Sequence, residues 1–343
     1  MIFPILSGLM GWKKAPVTWA VFVLNLAVLV YTTAYGAEAQ DGLEEVMKKH
    51  YFVATQGRVY AQYVTLHPAE EYPPFLTQLA AQVSHGGVDR AEMLGQLAFR
   101  DFNFLRDAET LDFDGDQVAL RLWRKKIAEI RELQQDHPSY LFGLNADDQS
   151  MSKWVSYIFV HSGWLHFVGN MLFMLIFGAA LERQIGGLGF LVVFVLAGTF
   201  AAGVFALMTG VTSSPLVGAS GAISGIMSLY CVLNWRKPAR FFYWLFLPLR
   251  GFMGFVYLPA WVALVLWAIN DVAGYVGSLP ELGGVAHTAH LGGETAGLLT
   301  GLILVGLRRY WPVQPLDALA VPAASPPMGV LIPFLPPKNK FAA

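Results

Sequence analysis

Six apolar stretches decide what this chain can fold into: residues 17–35, 163–181, 188–209, 218–235, 255–276 and 287–307. Each is long enough, or nearly so, to cross a hydrocarbon core about 30 Å thick at about 1.5 Å of rise per residue. Composition points the same way. Of 343 residues, 55% are hydrophobic and only 14% charged, too apolar for an ordinary soluble domain. The charge is also unevenly placed. Residues 37–153 hold 19 of the 24 Asp/Glu and 12 of the 23 Lys/Arg, so one acidic, polar insert interrupts a membrane protein.

Basic residues orient the spans. Lys13 and Lys14 precede the first stretch and Arg183 follows the second. Arg236, Lys237, Arg240 and Arg250 lie between the fourth and fifth, and Arg308 and Arg309 follow the sixth. Loops 210–217 and 277–286 carry no Lys or Arg. The positive-inside rule then puts both termini in the cytoplasm. The first stretch ends in small residues, as a signal peptide does. Its apolar part of about 19 residues exceeds a signal core, so it is expected to be retained as a span.

The insert, residues 37–152, shows helical patterning. In "VDRAEMLGQLAF", Asp89 is expected as an N-cap with Glu92 at the capping-box position. "DQVALRLWRKKIAEIREL" places Val118, Leu120, Leu122, Ile127, Ile130 and Leu133 on an amphipathic helix that ends before Pro138. "DFDGD" (112–116) resembles a calcium loop, but Gln117 and Trp123 stand where its glycine and bidentate glutamate belong. It reads as a turn and helix cap. The short apolar segment "ARFFYWLFLPLRGF" (239–252), interrupted by Pro248, is expected at the cytoplasmic interface. From Pro312 onward the chain carries eight of its nineteen prolines, which predicts a disordered tail. Cys231 is the only cysteine, so no disulfide forms within the chain.

Polar side chains within spans are costly and mark function. Here they are His166 and Asn170 in the second stretch, Ser220 and Ser224 in the fourth, and His287 and His290 in the sixth; His161 lies just before the second. Depth follows from counting back to the cytoplasmic anchors. Ser220 is 16 residues from Arg236, His290 is 18 from Arg308 and His166 is 17 from Arg183. These separations correspond to about 24, 27 and 26 Å of helix. Three spans therefore bring a serine, a base and further donors to one level, slightly below the external surface.

A serine becomes a nucleophile beside a base, and neutral histidine suits that task. His166 and Asn170, four apart, share a helical face and both can donate to a developing oxyanion. No carboxylate is placed by the sequence to orient His290: Glu294 is four residues further along its own helix, and Asp271 belongs to the fifth stretch. A Ser220–His290 dyad is expected rather than a triad. Gly293, Gly297 and Gly301 continue the His290 face, while Gly218, Gly221 and Gly225 flank Ser220. Such faces let helices pack with close backbones. Ser224 is assigned to packing and His287 to lining the site.

"HSGWLHFVGNM" (161–171), "GASG" (218–221) and "AHLGGETAG" (289–297), in this order on successive spans, resemble the rhomboid family of intramembrane serine proteases. "LERQIGG" (181–187) and "GGVAHTAHLGG" (283–293) are also similar to the family's pattern. The resemblance covers about 150–310 and the leading span. It implies an all-α polytopic membrane protein, a six-transmembrane-helix rhomboid-like bundle with a large helical insert between helices 1 and 2. It implies Ser220 as nucleophile, His290 as general base, and His166, Asn170 and the Ser220 N–H as the oxyanion site. His161, Glu182, Gly218, Gly221, Gly293 and Gly297 would be structural residues near that site. Three departures stand out. Ser152 and Lys153 replace a Trp-Arg pair often found before the first histidine. Ser224 stands where a bulkier residue often supports the catalytic histidine. The insert is much longer than usual.

The expected organisation is a cytoplasmic N-terminus and first span (1–36), an external insert (37–152), a catalytic membrane core (153–310) and a Pro-rich cytoplasmic tail (311–343). No cofactor, metal or nucleic acid is expected. The partners are the lipid bilayer and single-span membrane protein substrates. The absence of a transit-type leader and the simple layout point to a bacterial inner membrane. Two rivals remain at this level: a catalytically inactive rhomboid-like binder of membrane clients, and a metal site built from His161, His166, His287 and His290.

Overall fold

A computed structural model describes residues 2–4, 11–67, 72–84, 88–99, 101–108, 110–146, 148–209, 214–244, 253–277, 285–307, 329 and 331–333. Among these the chain is mostly helical. Its apolar side chains form two separate cores, one within the insert and one within the membrane-type helices.

The first helix, α1 (Pro16–Met47), starts with proline at a position where a missing N–H costs nothing. Its free N–H groups are capped from a distance. Val17 N and Thr18 N donate to Glu182 Oε1 and Oε2 at 3.0 and 2.7 Å, and Thr18 Oγ1 donates to Oε2 at 2.7 Å. The helix does not stop at residue 36. It runs on through the polar "AEAQDGLEEVM" and carries the first span directly into the insert.

The insert contains α2 (His50–Leu66), α3 (Pro74–Ser84), α4 (Val88–Ala98), α5 (Phe102–Asp107), α6 (Gln117–Asp136) and α7 (Pro138–Phe142). Phe52, Tyr60, Tyr63, Leu76, Leu94, Phe104 and Trp123 fill its core. Asp101 caps α5 by accepting from Phe104 N at 2.9 Å, and its other oxygen accepts from Tyr60 and Tyr72 hydroxyls at 2.8 and 3.1 Å. Asp116 caps α6, accepting from Val118 N at 2.8 Å. Two local expectations are corrected. Asp89 lies inside the first turn of α4 rather than before it. On α6, Leu120, Trp123, Ile127 and Ile130 face the core while Val118 and Leu122 are exposed, because positions 120, 123, 127 and 130 recur at three- and four-residue spacing on one face and 118 and 122 fall on another. The C-terminal end of α6 packs along α1. Leu133 lies against Gly42, and His137 and Pro138 lie against Gly36.

Beyond the insert, α8 (Lys153–Ser156) leads through a 3₁₀ turn (Tyr157–Phe159) to α9 (Trp164–Phe173). Lys153, at the departure from the family pattern, anchors this loop by donating to Tyr140 O at 2.7 Å and pairing with Asp148 at 3.0 Å. A π-helical turn (Met174–Gly178) joins α9 to α10 (Ala179–Met208), which breaks at Gly186 with φ +80°. Next come α11 (Ser220–Leu233), α12 (Trp261–Gly277) and α13 (His287–Gly306). Residues 16–37 and 164–208 are long and apolar enough to cross a membrane, and 220–233 and 261–276 are shorter apolar helices.

The most extensive helix pairing is α11 with α13, and α10 packs on both. A methyl group on Gly293 would overlap the Gly221 carbonyl oxygen, and one on Gly297 would overlap that of Gly225. Backbone therefore meets backbone along this seam. At the far end of α11, Gln184 and Asn234 exchange reciprocal amide bonds of 3.0 and 3.1 Å.

The all-α expectation needs one amendment. Four antiparallel strands form a sheet in the order β1 (Ile2–Pro4), β2 (Pro238–Trp244), β3 (Met253–Pro259), β4 (Leu331–Pro333). Residues 239–244 of the segment expected as an interfacial stretch thus lie in β2, with Phe242 opposite both Phe3 and Phe255. The first residues of the stretch expected as the fifth span, 255–276, belong to β3, and α12 begins only at Trp261. The aromatic residues of β2 and β3, with Val256, favour strand pairing. Residues 245–252, including Pro248, lie outside the described residues. Residues 331–333, expected in a disordered tail, form β4 on β3; the tail around them lies outside the described residues.

Candidate active site

The chain enters α11 through Gly218, whose φ of +117° favours glycine. Its N–H donates to Tyr157 O at 2.9 Å, while the Tyr157 hydroxyl donates to Gly198 O at 2.7 Å. This fixes the start of α11 against α10. Ser220, the first residue of that helix, is half-buried. A side chain at 218 would also strike the His166 ring, since a Cβ there would lie 2.7 Å from Cε1 and 2.8 Å from Nε2. Glycine is thus required twice, for the turn and for the histidine seated on it.

Ser220, His290, His166, Asn170 and His287 line one cavity of about 840 Å³, walled in part by Phe173, Phe205, Ile223 and Trp267. The four residues read from the sequence as nucleophile, base and oxyanion donors come together from α9, α11 and α13. Ser224 is fully buried and does not line the cavity. The two serines, one turn apart in sequence, thus have different surroundings.

His166 Nδ1 lies 2.9 Å from Ser162 Oγ, and Asn170 Nδ2 donates to His166 O at 2.9 Å. That second bond uses one of the two Asn170 amide hydrogens. His161 is buried behind them, its ring edge-on to His166 and Phe167 at 5.3 and 5.5 Å. Burial, with the neighbouring His166, pushes its imidazole down to about 4, so it stays neutral and serves packing. Gly221, Gly293 and Gly297 belong to the backbone seam below Ser220 and His290. Glu182, expected as a structural residue, lines no part of the cavity and anchors the start of α1.

The residue the sequence reading set aside is Asp271. It is fully buried on α12, and its Oδ1 lies 2.9 Å from His290 Nδ1 and 2.8 Å from His287 Nδ1. The His287 ring lies directly over Gly274 one turn on, and the His290 ring packs against Trp267 with centroids 6.3 Å apart. The signal was available. Asp271 falls less than two turns before the end of α12, close to the depth of His290 at the start of α13. Among the described residues, the one cluster with metal-ligand character is Asp271, His287 and His290, whose ligand atoms lie within 4.8 Å of one another. His161 and His166 stand outside it.

Residues 148–307 match the family model described as "Rhomboid domain". Similar proteins include "RHOMBOID-like protein 5" of Arabidopsis thaliana, 27% identical over 164 residues, covering 47% of this chain and 46% of that protein. "Rhomboid protease GlpG" of Serratia proteamaculans is 34% identical over 148 residues, covering 43% and 46%. "Rhomboid-type serine protease 2" of Emericella nidulans is 26% identical over 166 residues, covering 46% and 28%. The matches thus span about half the length of these relatives, or less.

Proposed function

With a rhomboid domain over residues 148–307 as the premise, we propose that the chain is an intramembrane serine endopeptidase with Ser220 as nucleophile and His290 as general base. The observation that carries this reading is the single cavity lined by Ser220, His290, His166 and Asn170 from three helices. Ser220 Oγ adds to the scissile carbonyl carbon as its proton passes to His290 Nε2, the ring nitrogen turned away from Asp271. His166, Asn170 and the Ser220 N–H meet the negative charge on the carbonyl oxygen. The proton then moves to the departing amine as the C–N bond breaks. Water, deprotonated by the same nitrogen, releases the acyl group and leaves Ser220 protonated again.

The proposed setting is a bacterial inner membrane, crossed six times, with both termini cytoplasmic and the insert outside. The sheet favours this topology. It joins residues 2–4, the hairpin strands of 238–259 and residues 331–333, all of which six spans would leave on one side. The proposed substrates are single-span membrane proteins whose helix unwinds locally at the cavity. Residues 1–36, 37–152, 153–310 and 311–343 remain the proposed functional divisions, although α1 crosses the first boundary without a break.

The test is cleavage of a transmembrane substrate in detergent by wild type, Ser220→Ala and His290→Ala, with and without chelator. Both variants are expected to fall by roughly 10⁴-fold or more, with no effect of chelator. Cleavage that survives in Ser220→Ala and vanishes with chelator would instead favour the Asp271–His287–His290 cluster as a metal site. Fluorophosphonate labelling of wild type but not Ser220→Ala separates a protease from a binding-only relative.

A further inference from the structure

A carboxylate buried among apolar helices is expensive unless its charge is met. Asp271 is met on one oxygen by two imidazoles, with Nδ1 of His290 at 2.9 Å and Nδ1 of His287 at 2.8 Å. These separations are hydrogen-bond lengths. At these separations the three side chains form a hydrogen-bonded group. An imidazole that donates from Nδ1 keeps its lone pair on Nε2, and His290 lines the cavity that also holds Ser220.

We infer that Asp271 is a positioning residue for His290, holding it through Nδ1–H so that Nε2 faces Ser220 and stabilising the ring when it carries the serine proton. The inference rests on the Ser220–His290 reading and turns its dyad into a three-membered relay anchored on α12. His287 shares the same oxygen, and Glu294 is the other carboxyl bearing on Asp271. The carboxylate thus ties both histidines of α13 to α12, and Trp267 on the same helix limits the His290 ring from the side.

The test combines three readouts on purified full-length protein in detergent. In wild type, ¹⁵N-histidine resonances of His290 report the proton on Nδ1; a proton on Nε2 overturns the assignment with no substitution needed. Asp271→Asn is expected to lower kcat by about 10²-fold or more with KM within about threefold, and to slow fluorophosphonate labelling of Ser220 in parallel. Formate should restore part of the activity of Asp271→Ala. His287→Ala, which leaves the Asp271–His290 bond in place, should lose much less than Asp271→Asn.

If Asp271→Asn labels and cleaves as wild type does while Ser220→Ala and His290→Ala are inactive, the Asp271 role falls and the catalytic pair stands. A His287→Ala loss equal to that of Asp271→Asn makes the carboxylate a support for His287 and also overturns the inference. If Ser220→Ala still cleaves, the catalytic pair falls and the role of Asp271 falls with it.

Discussion

Two helix pairs in this chain are held glycine against backbone, one in the insert and one in the bundle. In the insert, methyl groups on Gly57 and Gly95 would overlap the carbonyls of Ala91 and Val53 across α2 and α4. In the bundle, Gly293 and Gly297 stand in the same relation to Gly221 and Gly225 across α13 and α11. The surroundings differ. Gly57 and Gly95 sit in a core of large aromatics, and Gln56 Nε2 bonds the Gly95 carbonyl at 2.8 Å. There, burial of Trp123, Tyr60 and Phe104 supplies the driving force, and the close approach is one detail of the packing. Between helices in lipid, apolar burial gives no such force, so close packing must itself hold the pair. The bundle seam extends a further turn, with Gly301 against Val232 and Leu229, and at its upper end stand Ser220 and His290. An error in the insert remains local, whereas an error in the seam moves the site.

Matched substitutions test that contrast most severely. Gly293→Val is expected to cost the bundle about 3 kcal/mol and to abolish cleavage. Gly95→Val is expected to cost the insert about 1–3 kcal/mol with cleavage largely retained. Thermal unfolding and cleavage of the two proteins, measured side by side, decide the matter; equal losses of cleavage would erase the distinction.

A smaller effect is expected from Asp101→Ala, which removes the acceptor for the Tyr60 and Tyr72 hydroxyls and the cap of α5. The loss should be about 2–3 kcal/mol, read as a lower denaturation midpoint for the insert with the bundle transition unmoved. A shift of both transitions would mean that the two cores unfold as one.

The smallest effect is at the joint between the regions. Burial pushes the His137 imidazole below its ordinary value, and its ring lies against Gly36 of α1. The unfolded chain then binds more protons as pH drops below about 6.5. The contribution of His137 is therefore complete above that pH and declines as pH falls toward the folded value. The insert's thermal midpoint should drop slightly between pH 7.5 and 5.5, and less so in His137→Asn. Identical slopes in the two proteins would remove His137 from the account.

Much of the site was legible because helices convert residue number into depth. Counting from basic anchors was enough to separate Ser220 from Ser224 and to group Ser220 with His290 and His166. Asp271 was set aside because it belongs to a different stretch from His290, whereas side chains at one depth on neighbouring helices are the ones that meet. Glu182 was grouped with the site by family likeness, although its partners, the open N–H groups of α1, lie more than 160 positions away in sequence. The extension of α1 to Met47 was hidden for another reason: hydropathy ends where lipid ends, but a helix without proline or a cap need not. The sheet left little trace, since two of its strands are three residues long and pair with segments remote in the chain.

That remoteness has a consequence for how the molecule is built. β1 and its partner β2 are separated by roughly 240 residues, a closure whose entropy rises only slowly with length. β3 in turn has one open edge until residues 331–333 arrive. The sheet is thus completed only after α13 has been made. A chain stopped short of β4 would carry its helices and its cavity, but would also leave a strand edge unpaired, ready to join another chain.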